Sequence, residues 1–281
     1  TYSLAAAIRA GEMTVLDAIQ WIADSGGEHV ELSPAGYTLL DNPALMDQVR
    51  EKVASVGIEI ASYTVPANFV QPDEPAYEAE ITRILQQVDI GHKLGVSKMR
   101  HDAGSRPPGE CTIDHFEADL PKVAAACQRI ADYAAQFGIT TSLENHGFHF
   151  QSSDRVRRLI QTVDRPNYRL TLDVGNFLCV DEDPVAAVKK SIGLASHVHI
   201  KDFFIRPAHL NPGEGWFQTA GGHHLRGAIA GHGDMDLRSI LKIVKESGYD
   251  SHLSVEFEGM EDCRTGSRIG MANVRRLLAE C

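Results

Sequence analysis

The chain alternates between two textures from one end to the other. Short runs rich in β-branched and apolar residues are followed by longer amphipathic runs rich in Ala, Leu, Glu and Arg. The spacing predicts strands over residues 2–5, 29–32, 58–63, 96–100, 139–144, 169–173, 197–200 and 253–257. It predicts helices over 15–24, 43–55, 75–93, 116–137, 154–163, 184–192, 237–246 and 266–279. Eight strand–helix pairs in 281 residues fit a TIM barrel, (β/α)8, whose strands are covered on both faces. A doubly wound open sheet is the competing arrangement. It gathers side chains from four consecutive strands poorly, whereas a barrel does so by construction.

Local chemistry marks the boundaries. Asn42-Pro43 and Asp183-Pro184 each put a capping side chain before a proline suited to a first helical turn. Gly26, Gly57, Gly138 and Gly248 end helical runs just before strands. Over 116–137, Leu120, Val123, Ala124, Cys127, Ile130 and Ala131 form the stripe of a helix lying on a sheet. No linker divides the chain, so residues 1–281 read as a single domain. The longest irregular stretch, about 202–236, is rich in Gly and Pro and carries Trp216, Phe217, His223, His224 and His232. A loop of this length reads as a cover over a site.

A formal net charge of −11, with no long basic run, excludes nucleic acid and anionic membranes as the expected partners and favours a small ligand. No apolar stretch reaches the length of a membrane span, and no signal-peptide pattern opens the chain. The five cysteines form no CxxC pair, which fits a reducing, cytoplasmic setting without structural disulfides.

Four strand-like runs end on metal-binding residue types: Glu144, Asp173, His199 and Glu256. Such a mixed nitrogen and oxygen set suits Mn²⁺, Mg²⁺, Co²⁺ or Zn²⁺. Any one of them could be an ordinary strand-end acid; a shared metal accounts for all four. His197 lies two residues before His199 on the same strand face, so His199, nearer the carboxyl end, is the ligand. His197 is then a supporting or substrate-contacting residue. Glu258 stands in the same relation to Glu256. Glu31, Arg100, His146, Lys201, Arg206 and His232 complete the set of candidate substrate contacts.

The segments Val30-Glu31-Leu32, Leu143-Glu144-Asn145-His146, Leu172-Asp173-Val174-Gly175-Asn176, His197-Val198-His199-Ile200-Lys201-Asp202, Gly231-His232-Gly233-Asp234-Met235-Asp236 and Ser254-Val255-Glu256-Phe257-Glu258 resemble the xylose isomerase-like TIM barrels. That superfamily holds sugar and sugar-phosphate isomerases and epimerases, inosose and 3-dehydroshikimate dehydratases, and type IV apurinic endonucleases. The resemblance implies one divalent cation, commonly Mn²⁺, on Glu144, Asp173, His199 and Glu256. It also implies that Glu144 and Glu256 flank the substrate as an acid/base pair, and that the chain forms a homo-oligomer, a dimer or tetramer. The endonuclease relatives carry a histidine at the position of Asn176 and an Asp-x-His pair near Gly231–Gly233; both are missing here.

The expected activity is a metal-dependent isomerisation or epimerisation of a ketose, keto-polyol or related carbohydrate through an enediolate. The same metal and base would support dehydration of a cyclic keto-polyol if a β-hydroxyl left instead. A carbohydrate-binding barrel without catalysis is the remaining alternative. No compact basic, glycine-rich phosphate cradle occurs, which favours an unphosphorylated substrate.

Overall fold

The structure, a computed structural model, describes residues 1–281. Its strands, in chain order, are β1 (His29–Leu32), β2 (Glu59–Val65), β3 (Lys98–His101), β4 (Thr140–Glu144), β5 (Tyr168–Asp173), β6 (Ala195–Ile200), β7 (Asp202–Arg206), β8 (Phe217–Gln218), β9 (His224–Ala228) and β10 (Leu253–Val255). Seven of them form one sheet in the order β1-β2-β3-β4-β5-β6-β10, with β1–β2, β2–β3, β3–β4, β5–β6 and β6–β10 paired parallel. Helices separate them along the chain, as the alternating sequence texture requires.

Residues 1–104, 119–143 and 162–169 form one compact unit, and residues 105–118, 144–161 and 170–281 a second. The first is built on β1, β2, β3 and most of β4. Val30, Leu32, Tyr63 and Met99 are buried on its strands, and Val123, Ala124, Cys127, Ile130 and Ala131 form the expected buried stripe on the helix Ile113–Ala135. The second holds the carboxyl ends of β4 and β5 and all of β6 to β10. Leu172, Val198 and Ile200 are buried on its strands, and Leu237, Ile240, Leu241 and Val244 bury one face of the helix Leu237–Glu246.

Helix ends follow the sequence signals. Asn42 accepts a hydrogen bond from the Leu45 N–H at 3.2 Å ahead of the helix Pro43–Val56, and Asp183 accepts from Ala186 at 2.7 Å ahead of Pro184–Ser191. Thr14 and Asp17 cap Val15–Asp24 reciprocally. Gly57 ends Pro43–Val56 at φ 71°, a left-handed conformation that a residue without Cβ adopts at little cost.

Two expectations are corrected. Residues 2–5 are not a strand: a 3-10 turn, Tyr2–Leu4, runs into the helix Ala5–Arg9. Three consecutive alanines favour helix, and Leu4, Ala5, Ala7 and Ile8 bury one helical face. The segment 202–236 is not wholly irregular. β7 pairs with β9 antiparallel from Asp202↔Ala228 to Arg206↔His224, and β8 joins the other edge of β9. Phe203 and Leu225 bury against Cys179, with Phe148, Ile205 and Met235 packed around them. This apolar face drives pairing that the glycines and prolines obscure in the sequence.

Strand register sets up the site. Asp173, the last residue of β5, pairs with His199 on β6. Ser254 on β10 pairs with the same His199, and Glu256, just past β10, donates its backbone N–H to Ile200 O at 2.9 Å. Glu144 ends β4.

Candidate metal centre

Glu144, Asp173, His199 and Glu256 are all buried, and each offers a ligand atom within 4.8 Å of the others. From His199 Nδ1, Glu256 Oε1 lies 3.1 Å away, Glu144 Oε2 3.7 Å and Asp173 Oδ2 4.0 Å. Buried carboxylates turned toward one imidazole repel one another unless a cation offsets their charge. Burial accordingly lifts the Asp173 carboxyl to about 7; Lys201 opposes the rise, while Glu144 and Glu256 add to it. One nitrogen and three oxygen donors fit a hard or borderline divalent ion, so the residues present suit the metal the sequence implies.

Lys201 enters the same cluster. Its Nζ lies 3.0 Å from Asp173 Oδ2, 3.0 Å from Glu256 Oε2 and 3.4 Å from Glu258 Oε1. Burial pulls its pKa down, but Asp173, Glu256, Glu258 and Glu144 together outweigh burial and hold the ammonium charged well above its ordinary range. Gly175 makes room for it: a Cβ there would stand 2.5 Å from Lys201 Cγ.

Backbone and amide donors hold the acids in place. Asp173 Oδ1 accepts from the N–H groups of Gly175 at 2.8 Å and Asn176 at 2.9 Å. The Asn176 side chain donates to Glu144 Oε1 at 2.9 Å. Asn145 donates from Nδ2 to Asp173 O and accepts at Oδ1 from Asp173 N–H, both at 2.8 Å. Neither asparagine is among the site residues expected from the sequence, where Asn176 entered only as a departure from the endonuclease relatives. The available signal is position: one directly follows Glu144 and the other lies three residues after Asp173.

Residues 19–277 match the family model of the xylose isomerase-like TIM barrel. The chain is a member of that family. The xylose isomerase-like barrel is also the fold of its structural neighbours. The probable 3-DHS dehydratase involved in petrobactin synthesis from Bacillus anthracis superposes with a TM-score of 0.74 at 17% identity, over 94% of each chain. The 3-keto-D-glucoside 4-epimerase of E. coli, in apo form, superposes with a TM-score of 0.73 at 16% identity, over 93% of this chain and 94% of that one. In sequence, an inosose dehydratase of Lacticaseibacillus casei is 27% identical over 146 residues. That match covers 51% of this chain and 49% of the relative, so the chain spans about half the length of the curated relative it matches.

Within this xylose isomerase-like barrel the other sequence candidates fall into different surroundings. Lys201 and Glu258 join the carboxylate cluster. His197 is buried, bonds through Nε2 to Ser254 Oγ at 2.8 Å, and stands edge-on to the His199 ring at 5.3 Å. His146 forms an isolated bridge with Phe150 and is exposed. Arg206 is exposed, lies 3.3 Å from Asp234 and faces the Trp216 ring. His232 is exposed on a turn. Glu31 and Arg100 belong to the first unit, buried on β1 and β3, and Arg100 pairs with Asp102 at 2.7 Å. No helix is long and apolar enough to cross a membrane.

Proposed function

We propose that this chain is a divalent-metal-dependent enzyme that moves a proton beside the carbonyl of a ketose or keto-polyol, as an isomerase or epimerase. The carrying observation is the buried cluster of Glu144, Asp173, His199 and Glu256. Those four residues would hold the ion, with Mn²⁺ favoured over Mg²⁺, Co²⁺ or Zn²⁺ by the family resemblance. The chemistry supplied by a bound divalent ion is Lewis acidity toward a carbonyl oxygen and its neighbouring hydroxyl, which makes the adjoining C–H more acidic.

The chain's own residues account for the remaining requirements. Glu256 and Glu144 stand on separate strand ends and serve as the acid/base pair, one removing a proton and the other returning it. Return to the opposite face of the same carbon is epimerisation; delivery to the neighbouring carbon is aldose–ketose isomerisation. Lys201 moderates the negative charge: its ammonium, within 3.0 Å of Asp173 and Glu256 and 3.4 Å of Glu258, offsets part of the excess that the three ligand carboxylates and Glu258 would leave against a doubly charged cation. Glu31, Arg100, His146, His197, Arg206, His232 and Glu258 are proposed to contact or orient the carbohydrate. A homo-oligomer belongs to the same proposal, and a solution mass tests it.

A second reading is dehydration of a cyclic keto-polyol, in which a β-hydroxyl leaves after the same proton abstraction. The inosose dehydratase relative favours it. Incubation with Mn²⁺ and a panel of ketoses and inososes in D₂O separates the readings. Deuterium beside the carbonyl of an otherwise unchanged or isomerised sugar supports the first, and loss of water supports the second. Saturable sugar binding with neither signal points to a carbohydrate-binding protein and defeats both.

A further inference from the structure

The carboxylates of the cluster share a division of labour. Each turns one oxygen toward His199 and has a donor on the other. Glu144 turns Oε2 inward, 3.7 Å from His199 Nδ1, while Oε1 accepts from Asn176. Asp173 turns Oδ2 inward, 4.0 Å from His199 Nδ1 and 3.0 Å from the Lys201 ammonium, while Oδ1 accepts two backbone N–H groups. Glu256 turns Oε1 inward, 3.1 Å from His199 Nδ1, while Oε2 lies 3.0 Å from Lys201.

Asn176 touches both of the first two acids. Its backbone N–H holds Asp173, its side chain holds Glu144, and its own carbonyl accepts from Gln151 Nε2 at 2.6 Å. It is 3% exposed, so these bonds meet little competition from water. Asn145 is fully buried and spans the Asp173 peptide with two bonds, doing for the ends of β4 and β5 what a strand ladder would do. Its partners fix its orientation, since a carbonyl requires the NH₂ and an N–H requires the oxygen.

We infer that Asn176 and Asn145 are positioning residues of the metal centre. Asn176 would hold Glu144 to binding through Oε2 alone, and its N–H together with that of Gly175 would do the same for Asp173 by occupying Oδ1, while Asn145 holds the Asp173 backbone in place. The inference rests on the metal-centre reading and adds residues and a coordination mode to it. A carboxylate free to rotate could chelate through both oxygens. An amide donor on one oxygen opposes that swing, because two-oxygen binding would break a buried hydrogen bond. The contact calls for a donor at 176: an aspartate there would meet Glu144 with like charge, and a leucine of similar shape would offer no donor.

The test is Mn²⁺ titration without substrate, paired with the Mn²⁺ electron paramagnetic resonance spectrum. The proteins are the wild type, Asn176→Leu, Asn176→Asp and Asn145→Ser. The expected result is a loss of Mn²⁺ affinity of roughly 10–100-fold in each variant, with an altered zero-field splitting, while metal-free Asn176→Leu melts cooperatively. Asn176→Leu carries the test if the charged variant does not fold. If folded Asn176→Leu binds Mn²⁺ with wild-type affinity and spectrum, the inference is overturned while the metal centre stands. A wild type that binds no divalent ion overturns both.

Discussion

His101 and His199 are both fully buried on parallel strands, yet their surroundings differ in kind. His101 closes β3 in the first unit. Its ring lies edge-on to Phe69 at 5.8 Å and tilted to Tyr168 at 6.0 Å, and its Nδ1 is 2.9 Å from the carbonyl oxygen of Asp102. Burial pulls its pKa to about 4, with Asp102 opposing, so the ring stays neutral and packs as an aromatic side chain. His199 in the second unit has three carboxylates within 4.0 Å of Nδ1. A buried histidine at a strand end is therefore no sign of a metal; converging acids are. On the cationic side, Arg100 pairs with Asp102 in the first unit, whereas Lys201 reaches three acids of the cluster.

The largest expected difference between the two histidine environments is in metal binding. Asp173→Ala should lose Mn²⁺ affinity by more than the roughly 10–100-fold typical of residues that only support a ligand. His101→Phe should bind as the wild type does. Calorimetric titration of both variants checks this, and equal affinities would erase the distinction. Next in size is Glu256→Gln, which keeps the shape of the side chain and removes its base. Solvent deuterium exchange into a substrate should fall by about 10²–10⁴-fold with sugar binding partly kept. Exchange at the wild-type rate would remove Glu256 from proton transfer.

How much of this contrast was legible beforehand depended on the reach of each signal. The convergence of Glu144, Asp173, His199 and Glu256 could be expected because each lies at or next to the carboxyl end of a strand-like run, and strand topology alone brings such ends together. The caps at Asn42 and Asp183 could be read because a cap acts within three residues. Tyr2–Leu4 could not, since a short apolar run suits strand and helix alike. Asn145 and Asn176 escaped because their bonds to Asp173 and Glu144 cross 28 and 32 residues. Nothing in a polar turn announces a partner that far away.

Lys201→Met sharpens the comparison from the charge side. It leaves the acids of the second unit uncompensated, and should destabilise the metal-free protein by about 3–5 kcal/mol, with added Mn²⁺ recovering part of the loss. Thermal melts with and without Mn²⁺ measure both; a variant as stable as the wild type without metal would contradict the charge balance. The smallest effect belongs to His101. Unfolded, its imidazole takes up a proton below about 6.5, whereas in the fold it stays neutral down to about 4. Its contribution is thus intact above about 6.5 and is lost as pH falls from there toward 4. The difference is roughly 3 kcal/mol between the ends of that window. Melts across that range should fall less steeply for His101→Phe than for the wild type; parallel curves would count against the buried neutral ring.

The most direct test of the metal centre is a crystal structure of the wild-type protein soaked in Mn²⁺, with an anomalous difference map collected at the manganese edge. The account predicts one strong peak per chain, bound by His199 and by one oxygen each from Glu144, Asp173 and Glu256. No peak at that position under saturating Mn²⁺, or a peak held by other residues, would contradict it.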